Sequence, residues 1–243
     1  MEFENKVAVI TGASSGIGKA IATTLSENEC KVILASRSIE KLKNIQAKLP
    51  HESMAVEMDV SDSQSVSQGF KKIKDKYSRI DILVNAAGVM PLSYMKNRHL
   101  EEWLQTIDVN VKGVLRCIYE VLPEMKRQKS GHIVNITSVD GKELYPGGAI
   151  YGASKAALIA LSRAMRMELS PEFNIRVASI EPGTVATNLR NDITDKELLE
   201  DKDYGGDEAK LQPEDIAQAV LYVLNQPVTV NVNELLIKPT GKA

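Results

Sequence analysis

Val7-Ala-Val-Ile-Thr-Gly-Ala-Ser-Ser-Gly-Ile-Gly18 decides the fold. Val7 to Ile10 is short and wholly apolar, the pattern of a central strand buried on both faces. Gly12, Gly16 and Gly18 follow, and apolar residues then recur at Ala20, Ile21 and Leu25, as on one face of a helix reaching Glu27. A strand, a glycine turn and a helix N-terminus in succession leave backbone N–H groups pointing where a pyrophosphate would be held. A glycine turn can also be purely structural. Its place after the first strand of a βαβ unit is what gives it weight.

Outward from this stretch, strands and helices alternate. Lys31 to Ala35 is a second strand, followed by a helix from about Ile39 to Lys48, a strand from about Met54 to Met58, a helix from about Ser63 to Tyr77 and the strand Ile82 to Val84. A long helix is predicted from about Leu100 to Arg127, which Pro123 should kink or end. Ile133 to Ile136 is the fifth strand. A helix through Tyr151 runs to about Leu169, Ile175 to Ile180 is the sixth strand, Pro213 opens a last helix and Glu234 to Ile237 closes the sheet. This alternation predicts an α/β fold of Rossmann type: a doubly wound parallel sheet of about seven strands, helices on both faces, in one domain over 1–243. Residues 184–211 lack periodicity, are rich in charge and contain Gly205-Gly206, and read as a substrate lid.

Composition excludes several classes. The formal net charge is −2 and 43% of the 243 residues are hydrophobic, so neither nucleic acid nor membrane is expected as partner. The basic run Lys71-Lys72-Ile73-Lys74 reads as a solvated helix face answered by Asp75 and Asp81. Cys30 and Cys117 show no paired spacing, and His51, His99 and His132 show no ligand spacing, so no metal is expected. The acidic opening Met1 to Lys6 lacks the pattern of a signal peptide, and a cytoplasmic protein is the expectation.

Ligands of such sheets bind beyond the carboxyl ends of the strands. After the second strand an NAD-selecting protein would carry an acid. This chain has Ser36 and Arg37, a hydroxyl and a two-pronged donor suited to a 2′-phosphate, which predicts NADP(H). Asp59-Val60 follow the third strand and Asn85-Ala86-Ala87-Gly88 the fourth. Tyr151 and Lys155 lie four apart on one helix face. Such pairs are common on solvated helices, yet a phenol beside an ammonium is also a candidate proton donor, since a nearby positive charge favours the phenolate.

Together these elements resemble the short-chain dehydrogenase/reductase family: Thr11 to Gly18, Asp59-Val60, Asn85 to Gly88, Asn110 within Val-Asn-Val-Lys-Gly, Ser138 within Ile-Thr-Ser, Tyr151-Gly-Ala-Ser-Lys155 and Pro182-Gly183-Thr184. The departure is Asn85-Ala-Ala-Gly88, where the family more often has a second Asn. The resemblance implies that Ser138 bonds the substrate oxygen and Tyr151 transfers the proton. Lys155 would hold the nicotinamide ribose and lower the tyrosine pKa, and Asn110 would anchor a relay water. It further implies cofactor contacts from Gly12, Ser14, Ser15, Gly16, Ile17 and Gly18, adenine contacts from Asp59 and Val60, and a cover over the nicotinamide from Pro182, Gly183, Val185 and Thr187. A homotetramer or homodimer is implied, packed through the helices around Leu104 to Met125 and Ala153 to Leu169. The C-terminal stretch from Gln212 to Thr240 resembles the subgroup of NADP-dependent dehydrogenases acting on serine and other 3-hydroxy acids. Arg190 is then a candidate partner for a substrate carboxylate.

Hydride transfer to a carbonyl builds charge on its oxygen, so a donor at Ser138 and an acid at Tyr151 fit the chemistry. Two other classes stand beside this oxidoreductase. A non-catalytic dinucleotide sensor would keep the glycine loop without needing the relay, and a sugar-nucleotide epimerase would normally have a larger C-terminal domain.

Overall fold

The computed structural model describes residues 3–201 and 209–242. Seven strands form one fully parallel sheet: β1 (Val7–Thr11), β2 (Lys31–Ser36), β3 (Ser53–Glu57), β4 (Ile82–Asn85), β5 (Gly131–Ile136), β6 (Ile175–Pro182) and β7 (Glu234–Ile237). Their spatial order is β3-β2-β1-β4-β5-β6-β7. The chain winds outward from β1 to β3, then crosses back to β4, so the order reverses between β1 and β4. The register there pairs Val9 with Leu83 and Ile10 with Val84. The crevice at such a switch point is where a doubly wound sheet binds its ligand.

Alternation along the buried strands divides the core in two. Ala8, Ile10, Val32, Leu34, Val84 and Val134 face helices α1 (Gly16–Glu27), α2 (Ile39–Gln46) and α8 (Pro213–Leu224). Val9, Ile33, Leu83, Ile133 and Val177 face α3 (Ser63–Lys76), α5 (Gly113–Gln128) and α6 (Ala149–Phe173). Both strand faces are dry, which is why the strands read as continuous apolar runs. The remaining α-helices among the described residues are α4 (Leu100–Ile107) and the short α7 (Lys196–Glu200).

Three local expectations change. The helix predicted over Leu100 to Arg127 is broken not at Pro123 but at Asp108–Lys112, a π-helical turn between α4 and α5. Pro123 lies inside α5 on an exposed face, so the Tyr119 carbonyl that loses its partner is open to water. The Tyr151 helix passes Leu169 and Pro171 to end at Phe173, where Asn174 takes a left-handed cap conformation (φ 54°). Asp81 does not answer the basic run: it is buried and holds the Val7 N–H at 3.0 Å, with Lys6 and Arg79 on its other sides. Lys74 pairs with Glu120 instead, at 2.8 Å.

Candidate active site and nucleotide cleft

The glycine turn is held in one shape by close backbone contact as well as by hydrogen bonds such as that from the Ala13 N–H to the Ala35 carbonyl at 3.2 Å. Gly12 has φ +67°, and a Cβ there would lie 2.8 Å from the Ala86 carbonyl oxygen; a Cβ on Gly18 would lie 2.5 Å from the Gly12 oxygen. Backbone therefore packs on backbone from β1 to α1 and to the loop after β4, as only glycine permits. Thr11 ties the same loops, its hydroxyl accepting from the Ala86 and Ala87 N–H groups at 3.1 Å each. The side chain of Ser15 does not cap α1, and the first turn of α1 has no acidic residue. A pyrophosphate fits this cradle: the turn brings the backbone close and the helix terminus supplies donors and the positive dipole end.

Beside the cradle, a cleft of about 520 Å³ opens past the ends of β2 and β3, lined by Arg37, Asp59, Asp62, Gln64 and Lys72 among others. Arg37 is exposed on its rim, and Ser36 turns its hydroxyl to the Ser38 N–H at 3.2 Å. Asp59 accepts from both the N–H and the hydroxyl of Ser61, at 2.8 and 2.6 Å, which orients its carboxylate. Val60 packs under Gly113, a Cβ on which would lie 2.9 Å from it. Asn85 behaves differently from a rim residue. Its amide donates to Asn135 Oδ1 at 2.9 Å, and Asn135 in turn donates to Ser162 at 2.8 Å, all beneath the strand ends.

The other half of the site stands at the ends of β5 and β6. Ser138 and Tyr151 are each 6% exposed, Lys155 is 5% exposed and Asn110 is fully buried. These four come together. Tyr151 and Lys155 share a face of α6, with the lysine Nζ 5.5 Å from the tyrosine ring centre. The Tyr151 hydroxyl faces Ser138, near enough for the serine to act on its pKa. Lys155 Nζ donates to the Ile136 carbonyl at 2.9 Å. Asn110, on the π-helical turn, accepts from the Val89 N–H and donates to the Val89 carbonyl, both at 2.9 Å, and donates to Ser154 at 3.1 Å. The extra residue of a π turn re-aims a side chain out of helical register, and here it clamps the loop after β4 to α6. Gly88 sits between: a Cβ on it would be 3.4 Å from Asn110 Oδ1 and 3.8 Å from Lys155 Nζ.

Electrostatics set the resting protonation. Burial, and then the negative charge of Asp140, hold the Tyr151 phenol well above its ordinary pKa, while the Ser138 hydroxyl works against them. Burial pushes Lys155 down to about 8, with Asp140 opposing. The Lys155 ammonium sits on the Ile136 carbonyl and is itself desolvated. The phenol rests protonated.

Residues after β6 cover this corner. Gly183 donates its N–H to the Ile237 carbonyl at 2.7 Å, and Thr187 lies over the glycine turn, 3.2 Å from where a Gly16 Cβ would be. Val185 bridges to Leu211, so the two ends of the 184–211 segment meet. Within it, Asp195 caps α7 and also accepts from the Tyr94 N–H at 2.9 Å and from Asn97. Ile193 and Leu198 pack with Met90, Leu92 and Tyr151 in a small apolar cluster. Gly205-Gly206 lies outside the described residues.

Sequence reasoning missed Asp140 and the π turn. It also missed Lys142, which follows the Ser138 turn and binds the buried Glu181 and Glu234, each at 2.9 Å, fixing that turn to β6 and β7. His132 is buried, its pKa pushed down to about 3 by burial and by Arg176, and is part of the core. Among the described residues no group of metal-ligating side chains is found, and no helix is long and apolar enough to cross a membrane.

This fold and edge define a class. The sequence profile of short chain dehydrogenases matches residues 6–198, and the chain belongs to that family of oxidoreductases. An uncharacterized oxidoreductase of Staphylococcus saprophyticus is 41% identical over 242 residues, covering 99% of this chain and 98% of that protein. One from Listeria monocytogenes is 41% identical over 251 residues, covering 100% and 99%. Among solved structures, the closed form of a serine dehydrogenase complexed with NADP+ superposes with a TM-score of 0.89 at 32% identity over 98% of this chain and 96% of that one. An alcohol dehydrogenase from Thermococcus sibiricus complexed with 5-hydroxy-NADP gives 0.85 at 32% identity, covering 97% of each.

Proposed function

We propose that the protein is an NADP(H)-dependent oxidoreductase that interconverts an alcohol and a carbonyl compound, with Ser138, Tyr151, Lys155 and Asn110 as the proton-handling group. The observation that carries this reading is the Tyr151 hydroxyl facing Ser138, with Lys155 on the same helix face, at the sheet edge that also holds the glycine cradle. When bound, the dinucleotide supplies or accepts the hydride and, in its oxidised form, brings a positive ring to the site.

The chain's part is position and proton. In reduction a carbonyl oxygen lies between Ser138 and Tyr151; the serine donates a hydrogen bond as negative charge grows there and the resting phenol gives its proton. In oxidation the alcohol loses a hydride from carbon and its hydroxyl proton to the tyrosine oxygen, leaving the carbonyl. Lys155 and Asn110 fix the α6 face and the loop after β4 around that oxygen. Arg37, with Lys72 across the cleft, favours the 2′-phosphate of NADP(H). NADP or its derivative in two related structures supports this choice. The residues after Pro182 form the lid. Likeness to a serine dehydrogenase supports a 3-hydroxy acid as substrate, its carboxylate on Arg190. A cytoplasmic homotetramer or homodimer completes the reading, supported by the exposed Leu104, Leu115, Tyr119 and Met167 on α4 to α6; a monomer by light scattering would contradict the assembly.

The test is Tyr151→Phe. It should lower kcat about 10²- to 10⁴-fold while NADPH binding, followed by fluorescence titration, stays within about threefold of the parent. Undiminished turnover would refute the proton role.

A further inference from the structure

The π turn at Asp108–Lys112 aims Asn110, and a side chain of α5 grips that turn. A π turn carries one residue more than an α turn, which sets α4 and α5 about 100° out of phase. The turn closes through the Gly113 N–H on the Asp108 carbonyl. Arg116, further along α5, donates from Nη1 to that same carbonyl at 3.3 Å. Nη1 also donates to the Val60 carbonyl at 3.1 Å, and Nε to the Ser63 hydroxyl at 2.9 Å. One guanidinium thus joins the first residue of the π turn, the loop after β3 and the first residue of α3.

Each end of this bridge belongs to a different half of the site. On the nucleotide side, Asp59 and Val60 stand where adenine would rest. The Asp59 N–H donates to the Ser65 hydroxyl on α3 at 2.9 Å, and a Cβ on Gly113 would lie 2.9 Å from the Val60 side chain. On the other side, Asn110 holds the N–H and the carbonyl of Val89 and reaches Ser154 on α6. Gly88, next to Val89, lies beside Lys155 Nζ. A run of contacts therefore leads from the adenine edge through Arg116 and Asn110 to the helix that carries Tyr151 and Lys155. Packing of Val60 on Gly113 limits how close the two halves come, and the Arg116 hydrogen bonds fix their direction. Arginine suits the joint, because its planar fork donates at fixed angles that an ammonium on a flexible stem does not reproduce.

We infer that Arg116 is a positioning residue that holds the π turn, and through it Asn110 and the loop after β4, against the loop on which adenine rests, so that filling the adenine end orders the catalytic end. The inference rests on the nucleotide site proposed above and names how its two halves are joined. Such coupling is carried by hydrogen-bonded elements that move together. Cofactor binding then aligns the proton-handling group before substrate arrives.

The experiment follows amide hydrogen exchange by mass spectrometry with saturating adenosine 2′,5′-bisphosphate, or ADP if only that binds. Either fills the adenine end and has no nicotinamide. In the parent protein, exchange should slow over residues 58–66 and, by at least about fivefold, over 88–91 and 108–113 as well. Arg116→Met keeps the stem and loses the fork: slowing should persist over 58–66, while 88–91 and 108–113 stay within about twofold of the free protein. Arg116→Lys should behave like Arg116→Met, whereas a role of charge alone would let it recover the parent pattern. Circular dichroism checks that each variant folds, and if Arg116→Met does not, Arg116→Lys carries the comparison. Slowing confined to 58–66 in the parent, or slowing over 88–91 that survives in either variant, would overturn the inference and leave the nucleotide site standing. A parent protein that binds neither the bisphosphate nor ADP would overturn both.

Discussion

The two halves of the site are built on different physics. On the nucleotide side, specificity is carried by what is missing: Gly12 and Gly18 lack the Cβ that would strike backbone at 2.8 and 2.5 Å. Charge enters at the cleft rim, through Arg37 and Lys72 beside Glu57, Asp59 and Asp62. On the substrate side the polar groups are buried or half-buried, so Asp140 shifts the protonation of both Tyr151 and Lys155, and Lys155 that of Asp140. Backbone shape is fixed once the chain folds. Buried charge answers to every neighbour, and that half is where relatives of one fold can differ in chemistry.

The sharpest way to break the nucleotide half is Gly18→Ala. Its methyl group would meet backbone that cannot move without separating β1 from α1, so NADPH binding in calorimetry should be lost. Thermal unfolding should fall by about 2 to 10 °C. Retained affinity would mean that the turn is merely structural. Arg37→Ala tests the rim and should act more gently, because it removes one charged contact: kcat/KM with NADPH is expected to drop about 10- to 100-fold and that with NADH to stay within about threefold. Equal loss with both cofactors would deny Arg37 its role in reading the 2′-phosphate.

The smallest expected effect probes the substrate half. Burial and the Asp140 charge raise the Tyr151 pKa, so the neutral phenol persists to higher pH than an ordinary tyrosine's. Asp140→Asn removes the charge part of that shift. Reduction uses the neutral phenol, so the basic limb of its kcat/KM profile should move to lower pH, by about half to one unit. Oxidation uses the phenolate, so its rise with pH should move in the same direction. Limbs that stay in place would show that burial alone sets the tyrosine.

Much of this was legible in the chain. The parallel sheet and its number of strands follow from alternating apolar runs and helices, and the glycine turn, Ser138, Tyr151 and Lys155 are marked by residue types that few other local structures require. Asn110 was legible as a motif, but the reason for its position was not: the π turn at Asp108–Lys112 replaces the kink that Pro123 suggested. Asp81 looked like an answer to nearby lysines and instead anchors β1, because partners are chosen by the sheet's register rather than by distance along the chain.

The sequence by itself determined the class of fold, the edge of the sheet where a dinucleotide would lie and which side chains could handle a proton, since periodicity and glycine placement are local properties. Only the tertiary structure decided that Lys155 rests on the Ile136 carbonyl and that Asp140 stands beside Tyr151 and raises its pKa. Protonation in a buried corner depends on which residues from β5, α6 and the lid converge there, and no stretch of chain contains that information alone.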